Sequence, residues 1–295
     1  MDDRRRGIGL IVLGALIISP TGALVAGMGH VSTPEFVILR CAGIAAFFAL
    51  AVAVTSGLGG IARFRQSGVP GLVASVSLGT IMVLSIYAFQ NAPVARVLLL
   101  FSTAPLQAAL IARLVLGERL AKATVLALCL SLAGIILIVM GGLSSESTDD
   151  FSLSGDLAAV LSSTLYAVFS VALRAGREVD MRVSMLMVGL IGMILALVLF
   201  LSAGERVNAT TLEAAAIFGI GFFLTGGAFF LFTIGSKWVS SAEFSMVSLS
   251  EIFFGSLWAW LFLSQGISLI TGLGGVLFFL AILVDARFAT KPLET

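Results

Sequence analysis

Residues 183–203, VSMLMVGLIGMILALVLFLSA, form a continuous run without a charged side chain. A helix that crosses the hydrocarbon core of a bilayer needs about 20 apolar residues. Similar runs recur along the 295 residues of the chain, of which 59% are apolar and 11% are charged. A typical soluble domain has roughly 25% charged residues. The sequence therefore predicts an all-α integral membrane protein and excludes a water-soluble enzyme, a nucleic-acid-binding protein and a disordered chain.

Ten apolar runs separated by polar breaks predict ten transmembrane helices. We place them at about 8–28, 34–56, 69–89, 94–115, 122–141, 155–174, 183–203, 212–235, 241–263 and 266–285. The polar segment SSESTDD, residues 144–150, separates five predicted helices from the other five. We therefore expect a first five-helix repeat at 1–143, an outer linker at 144–153 and a second repeat at 154–295.

The distribution of basic residues predicts the orientation. If the N-terminus is cytoplasmic, 14 of the 17 lysines and arginines fall in cytoplasmic segments, and Arg206 alone falls in an outer loop. Basic residues favour the cytoplasmic side of a membrane, so both termini are predicted to be cytoplasmic. The apolar run after Arg4-Arg5-Arg6 is long for a signal-peptide core, and we interpret it as a retained first span.

Five helices per half predict an inverted repeat, because an odd number turns the second half upside down. A shift of 147 residues places Leu116-Gly117-Glu118 on Leu263-Ser264-Gln265, and Pro105 on Ile252. Inverted repeats are common in secondary transporters, whose substrate sites lie near the membrane midplane between the halves.

Short motifs in the right order make the chain similar to one known family. They are Pro34 with Arg40; Tyr87-Ala88-Phe89, Ala104-Pro105-Leu106 and Leu116-Gly117-Glu118; Ser154-Gly155-Asp156; Tyr166; and Glu251 with Trp260. In these motifs the chain resembles the drug/metabolite transporter superfamily, specifically its EamA-type ten-helix exporters. The departures are Ile252 for a proline, Ser264-Gln265 for a second Gly-Glu, Ile18-Ser19-Pro20 for Trp-Gly, and Arg96. The resemblance implies transport of a small molecule and leaves the substrate open.

Glu251 is the leading candidate for a functional residue. It lies near the middle of the ninth predicted helix, and an ionisable group at that depth is costly and usually functional. Its carboxylate could bind a substrate ammonium or carry the coupling proton. Alternatively, it bonds neighbouring helices together. Helical spacing puts Ser248, Gly255 and Trp258 on the same face.

Two arginines are the other ionisable candidates within predicted helices. Arg40 could neutralise a substrate carboxylate, although we favour a structural role at the headgroups or on backbone carbonyls of a neighbouring helix. Arg96 begins the fourth predicted helix, where its charge opposes the helix dipole. It requires a partner such as Glu35 or a substrate carboxylate, or else it lies at the interface.

Uncharged polar and aromatic side chains complete the candidate cavity. They are Tyr166 with Ser163, Tyr87 with Asn91, Thr103 with Gln107, Ser248 and Trp258. Stripes of hydroxyl groups on apolar helices suggest a water-filled cavity, although hydrogen bonds between helices have the same composition. Tyr87 also suits the aromatic belt at the membrane surface.

Other polar and helix-breaking residues have structural interpretations. Pro20, Gly22 and Pro105 are candidate hinges, because proline kinks a helix. Ser240 and Glu243 match a capping box. We expect Glu118 to form a loop or a salt-bridge latch.

No metal site, cofactor or enzymatic centre is predicted. The chain has one histidine, two distant cysteines and no GxxxxGK[ST] motif, so a gradient must supply the energy. The favoured function is export of small polar metabolites, above all amino acids, by alternating access in the bacterial inner membrane. The alternatives are an exporter of cationic drugs or nucleobase-like compounds, and a membrane assembly or regulatory protein. The expected partners are lipid, a small molecule and protons, with no nucleic acid, and the protein acts as a monomer or a homodimer.

Overall fold

A computed structural model describes the greater part of the chain. It covers residues 2–21, 24, 28, 30–56, 64–91, 97, 100–118, 121–142, 153–263 and 269–288. Within these ranges the chain is helical, with turns between the helices and no β-strand. The first part of the prediction, an all-α protein, is confirmed.

Helices occupy the positions of all ten apolar runs. They are α1 (Asp2–Ile18), α2 (Thr33–Ser56), α3 (Phe64–Asn91), α4 (Ala104–Val115), α5 (Lys122–Gly142), α6 (Leu153–Ala175), α7 (Arg182–Ser202), α8, α9 and α10 (Leu269–Phe288). Helix α8 consists of Thr211–Gly219, a π-helical segment Ile220–Gly226, and Gly227–Gly235. Helix α9 consists of Ser241–Ser248 and Ser250–Leu263.

Five helical stretches in the described residues are long and apolar enough to cross a membrane. They are Thr33–Val54, Gln66–Ala88, Leu153–Ala175, Arg182–Ser202 and Thr211–Trp238, and shorter apolar helices accompany them. Large apolar side chains face outward from the bundle, among them Leu110, Leu114 and Leu201. An apolar outer surface suits a lipid environment and would be unfavourable in water.

The start of α1 differs from the prediction. The helix begins at Asp2 instead of near residue 8, so the arginine-rich segment is helical. The reason is tertiary, because Arg4 is buried against two carboxylates and is only 8% exposed.

Two of the candidate hinge residues, Pro20 and Pro105, lie beside the end or the start of a helix. Helix α1 ends at Ile18, just before Pro20, and Gly22 lies outside the described residues. Pro105 lies in the first turn of α4, directly after the turn at Ser102 and Thr103 that interrupts the predicted fourth helix. Proline is tolerated there because the first-turn N–H has no helical partner.

Two helices are interrupted at equivalent points of the repeats. The turn at Ser102 and Thr103 precedes α4, and the turn at Leu249 divides α9. Positions 102 and 249 are related by the same shift of 147 residues that relates the sequence motifs. Discontinuous helices at the midplane typically form the substrate sites of transporters.

Packing between helices follows a two-fold pattern. Helix α2 packs on α7, α5 on α10 and α4 on α9, while α3 packs on α6 and α7, and α8 packs on α1 and α2. When each helix is exchanged with its counterpart in the other half, α1 with α6 and so on to α5 with α10, the same set of contacts results. This pattern agrees with two related repeats.

Glycines allow α2 and α8 to approach closely. A Cβ on Gly43 would collide with the backbone oxygen of Phe218, and one on Gly221 would collide with that of Arg40. The π-helical segment of α8 therefore lies directly against the arginine that the sequence singled out.

Candidate functional site

The centre of the bundle brings a positive and a negative side chain from different repeats near each other. Arg40 on α2 and Glu251 on α9 interact electrostatically. Nε of Arg40 donates a hydrogen bond to Oγ1 of Thr225 on the π-helical segment, at 3.1 Å. Among the described side chains, Arg40 and Glu251 form no direct ion pair, and both are half-buried. The hydrogen bond to Thr225 directs the Arg40 side chain towards α8.

The interruption of α9 positions Glu251. The N–H of Ile252 bonds the carbonyl of Leu249 at 3.0 Å, a tight turn that restarts the helix at Ser250. Glu251 consequently lies in the first turn of the second segment. A negative charge there is stabilised by the unpaired N–H groups of the helix start.

Tyr166 on α6 lies next to this charged pair. Its hydroxyl group donates to Oγ of Ser248 at 2.8 Å, and it interacts electrostatically with Glu251. Its ring lies near those of Phe169 and Phe244, with centroids 5.8 and 6.4 Å away. The structure therefore brings together four predicted site residues: Arg40, Tyr166, Ser248 and Glu251.

A second polar group lies between α4 and α6. The amide nitrogen of Gln107 donates to the Ser163 hydroxyl at 2.6 Å and to the Thr103 hydroxyl at 2.9 Å. The two hydroxyl oxygens are 3.0 Å apart. Because Ser163 and Tyr166 are three residues apart on one helix, the two groups lie on the same face of α6.

Other predicted site residues lie apart from this centre. Tyr87 is 44% exposed, and Asn91 donates its side-chain amide to the Tyr87 carbonyl at 2.9 Å. Trp258 donates its indole N–H to Ser19 at 2.8 Å, which joins α9 to the end of α1. Arg96 lies outside the described residues.

A buried ionic cluster was missed by the sequence interpretation. Arg4 donates to Glu243, and its Nη2 donates to Oδ2 of Asp285 at 2.6 Å. Glu243 also completes the capping box with Ser240, as predicted. The only sequence signal was an acidic residue, Asp285, inside an apolar helix.

Glu118 forms the expected latch close to this cluster. Its carboxylate accepts from Nε of Arg174 at 3.0 Å and from the backbone N–H of Ser241 at 3.4 Å. Nη1 of Arg174 donates to the carbonyl of Lys237 at 2.8 Å. The starts of α1 and α9 and the ends of α6 and α10 thus meet on one face of the bundle, called here the N-terminal face.

Contacts also join the two repeats elsewhere. Glu35, proposed as a partner of Arg96, accepts from the backbone N–H groups of Asn208 and Ala209 at 3.0 to 3.2 Å. His30 lies 3.0 Å from the Glu213 carboxylate. These contacts connect the start of α2 with the segment before α8 and with its first turn.

The described residues of the centre offer charged groups and hydrogen-bonding groups. Among the described residues, no group of three or more His, Cys, Asp and Glu side chains is placed to hold a metal ion. The centre offers a carboxylate, a guanidinium group, an aromatic hydroxyl group and aliphatic hydroxyls. Such a set suits a small molecule that carries both charges.

The apolar helices are those of a multi-pass membrane protein. The chain matches the EamA-like transporter family over residues 5–140 and 153–285 and belongs to that family. One solved structure, titled "Crystal structure of protein", is 21% identical with a TM-score of 0.81, covering 97% of this chain and 99% of its own. At this identity the likeness concerns the fold alone. No curated protein matches the chain.

Proposed function

We propose that the protein is a secondary active transporter that exports small polar metabolites, with amino acids as the leading substrate class, by alternating access. The N-terminal face is cytoplasmic in this proposal, and the membrane is the bacterial inner membrane. Residues 1–143 and 154–295 form the two repeats that rock against each other around the centre. Pro20 and Pro105, each beside the end or start of a helix, act as hinges.

The observation that supports this proposal is the presence of two opposite charges, Arg40 and Glu251, in the same part of the bundle. They come from different repeats, interact electrostatically and form no direct ion pair in the described part of the chain. An amino acid carries an ammonium group for Glu251 and a carboxylate for Arg40. Charge-assisted hydrogen bonds of this kind are about twice as strong as neutral ones.

Proton coupling follows if the Glu251 carboxylate binds a proton and a substrate ammonium in turn. A carboxylate that binds a proton cannot at the same time form an ion pair with a substrate ammonium. Binding of one ligand therefore weakens binding of the other, and this reciprocity couples their movements.

A second candidate is export of cationic drugs or nucleobase-like compounds. It is favoured by the aromatic rings of Tyr166, Phe169 and Phe244, which pack beside the centre. A flat cation could stack on such rings while Glu251 neutralises its charge.

Counterflow in proteoliposomes tests the proposal. The full chain is reconstituted, vesicles are loaded with unlabelled amino acids, and uptake of each labelled amino acid is followed for wild type, Glu251→Gln and Glu178→Gln. Glu178 is the matched control because its side chain is 84% exposed. We expect saturable uptake of one subset, at least about tenfold slower in Glu251→Gln, which corresponds to roughly 1.4 kcal/mol.

The other outcomes separate the alternatives. No uptake of any amino acid by folded protein, together with dye efflux, would replace the amino-acid assignment by the second candidate. Uptake that is unchanged in Glu251→Gln would keep transport and make Glu251 structural. Equal rates with and without a pH gradient would remove proton coupling.

A further inference from the structure

A line of hydroxyl groups runs between α6 and α9 from the centre towards the N-terminal face. On α9 it consists of Ser248, Ser245 and Ser241, which share one helical face by their spacing. On α6 it begins at Tyr166, whose hydroxyl donates to Ser248, and continues with Ser170 one turn later. We refer to these five residues as the hydroxyl seam.

Two members of the hydroxyl seam are unusual for an ordinary helix contact. Ser170 and Ser248 donate to carbonyls of their own helices, a common arrangement for serine. The hydroxyl oxygens of Ser241 and Ser245 are buried and have no hydrogen-bond partner in the described part of the chain. Both residues are 0% exposed. A buried hydroxyl group without a partner is unfavourable, so this packing is costly unless another state of the protein supplies partners.

The seam ends at an ion pair that joins the two repeats. Glu118, from the first repeat, binds Arg174 of α6 and the backbone N–H of Ser241. Arg174 follows Ser170 by four residues and therefore continues the same face of α6. The side chains of Glu118 and Arg174 are each 12% exposed, so the pair covers the end of the seam.

We propose that the hydroxyl seam is the section of the transport path between the centre and the N-terminal face, and that the Glu118–Arg174 ion pair is its gate. When the pair separates, α6 and α9 part, and the Ser241 and Ser245 hydroxyls contact water and the passing polar substrate. In the arrangement described here the gate is shut. This inference rests on the proposed transport function, but its test requires no substrate.

Thiol accessibility tests the path. Cysteines replace Ser241, Ser245 or Val247, one at a time, in the full chain without Cys41 and Cys129, and each protein is placed in lipid nanodiscs. Val247 is the matched control, since it is also 0% exposed but lies on another face of the same helical segment. The rate of reaction with a charged methanethiosulfonate is measured with Glu118 intact and with Glu118→Gln.

We expect Glu118→Gln to accelerate the reaction at Ser241→Cys and Ser245→Cys by about tenfold or more, which corresponds to at least about 1.4 kcal/mol in the opening equilibrium. The rate at Val247→Cys stays unchanged. Arg174→Gln has the same effect, because it removes the other member of the ion pair.

Two results would overturn the inference. Equal acceleration at Val247→Cys would indicate general loosening of α9, and no acceleration at either serine position would show that the seam does not open. If Glu118→Gln does not fold, Arg174→Gln in the same background decides between these results. If the seam opens as expected but the protein takes up no amino acid, the amino-acid assignment is wrong and the proposed path is still supported.

Discussion

The two segments of α9 belong to one helix, yet the less apolar of them, Ser241–Ser248, is the more deeply buried. Every residue of Ser241–Ser248 is buried, whereas each of the residues 251–255 is half-buried. The buried segment is flanked by two ionic contacts, those of Arg4 and of Glu118. The half-buried segment carries Glu251. The ion pairs between the repeats therefore coincide with the more buried segment of α9, and substitutions in each segment test this difference separately.

Arg4→Ala should have the largest effect, because Arg4 is the positive partner of two buried carboxylates. Removal of the arginine leaves Glu243 and Asp285 buried together without a positive partner. Loss of one member of a buried ion pair costs about 3–5 kcal/mol. Denaturation of the purified protein in detergent measures this loss. Arg6→Ala is the control, since the Arg6 side chain is 74% exposed, and a similar loss in both variants would contradict the assignment.

Ser240→Ala should have the next largest effect, at the start of the same buried segment. Ser240 accepts the N–H of Glu243, and Glu243 accepts the N–H of Ser240 in return. Loss of a cap costs about 1–2 kcal/mol. Thr210 forms the same capping box at the start of α8, where it is exposed. We expect a smaller loss for Thr210→Ala in the same denaturation experiment, and the reverse order would refute the role of burial.

Tyr166→Phe tests the junction between the two segments. It removes the hydrogen bond to Ser248 and keeps the ring packing, so we expect a loss of about 1 kcal/mol in stability. Counterflow should change more in the substrate concentration at half-maximal rate than in the maximal rate. Tyr87→Phe is the control because Tyr87 is exposed. Identical behaviour of the two variants would show that Tyr166 does not contribute to binding.

Asp180→Asn should have the smallest effect. It serves as a control for the pH dependence of stability on the N-terminal face. The hydrogen bonds from Arg182 hold the pKa of Asp180 below its ordinary value. The folded state therefore gains stability above that ordinary pKa, and the gain disappears as the pH falls through the lowered pKa. Since the pair is partly exposed, the gain is below about 1 kcal/mol. Denaturation against pH should show a small wild-type advantage at neutral pH that vanishes in acid.

Much of the fold could be predicted because it depends on local properties of the chain. Each of the ten predicted apolar runs overlaps a helix in the described part of the chain, and the spacing of Ser240 and Glu243 predicted their capping box. The four-residue spacing of Thr103 and Gln107 also predicted that their side chains lie close together, and they form a hydrogen bond. Pro105 was expected to break its helix, and a turn at Ser102 and Thr103 lies directly before it, while its role as a hinge stays a prediction. The ten membrane crossings, the cytoplasmic termini and the repeat boundaries stay predictions.

Contacts between distant residues could not be predicted in the same way. Arg4 looked like part of a cytoplasmic tail, and only the folded chain brings it to Glu243, 239 positions away. Thr225 gave no signal at all, since a threonine in an apolar helix is ordinary until an arginine lies beside it. The sequence also could not show that the Ser241 and Ser245 hydroxyls lack hydrogen-bond partners among the described residues, because this depends on how the neighbouring helices pack.

The sequence by itself determined the membrane class and the family, because both depend on which side chains are present and how they are spaced. Only the tertiary structure decided which charges pair. Arg40 and Glu251 interact across the repeats without a direct bond, while Arg4 and Arg174 are held by carboxylates of distant segments. The physical reason is that electrostatic and hydrogen-bond energies depend on distances and burial, and packing of the ten helices sets both.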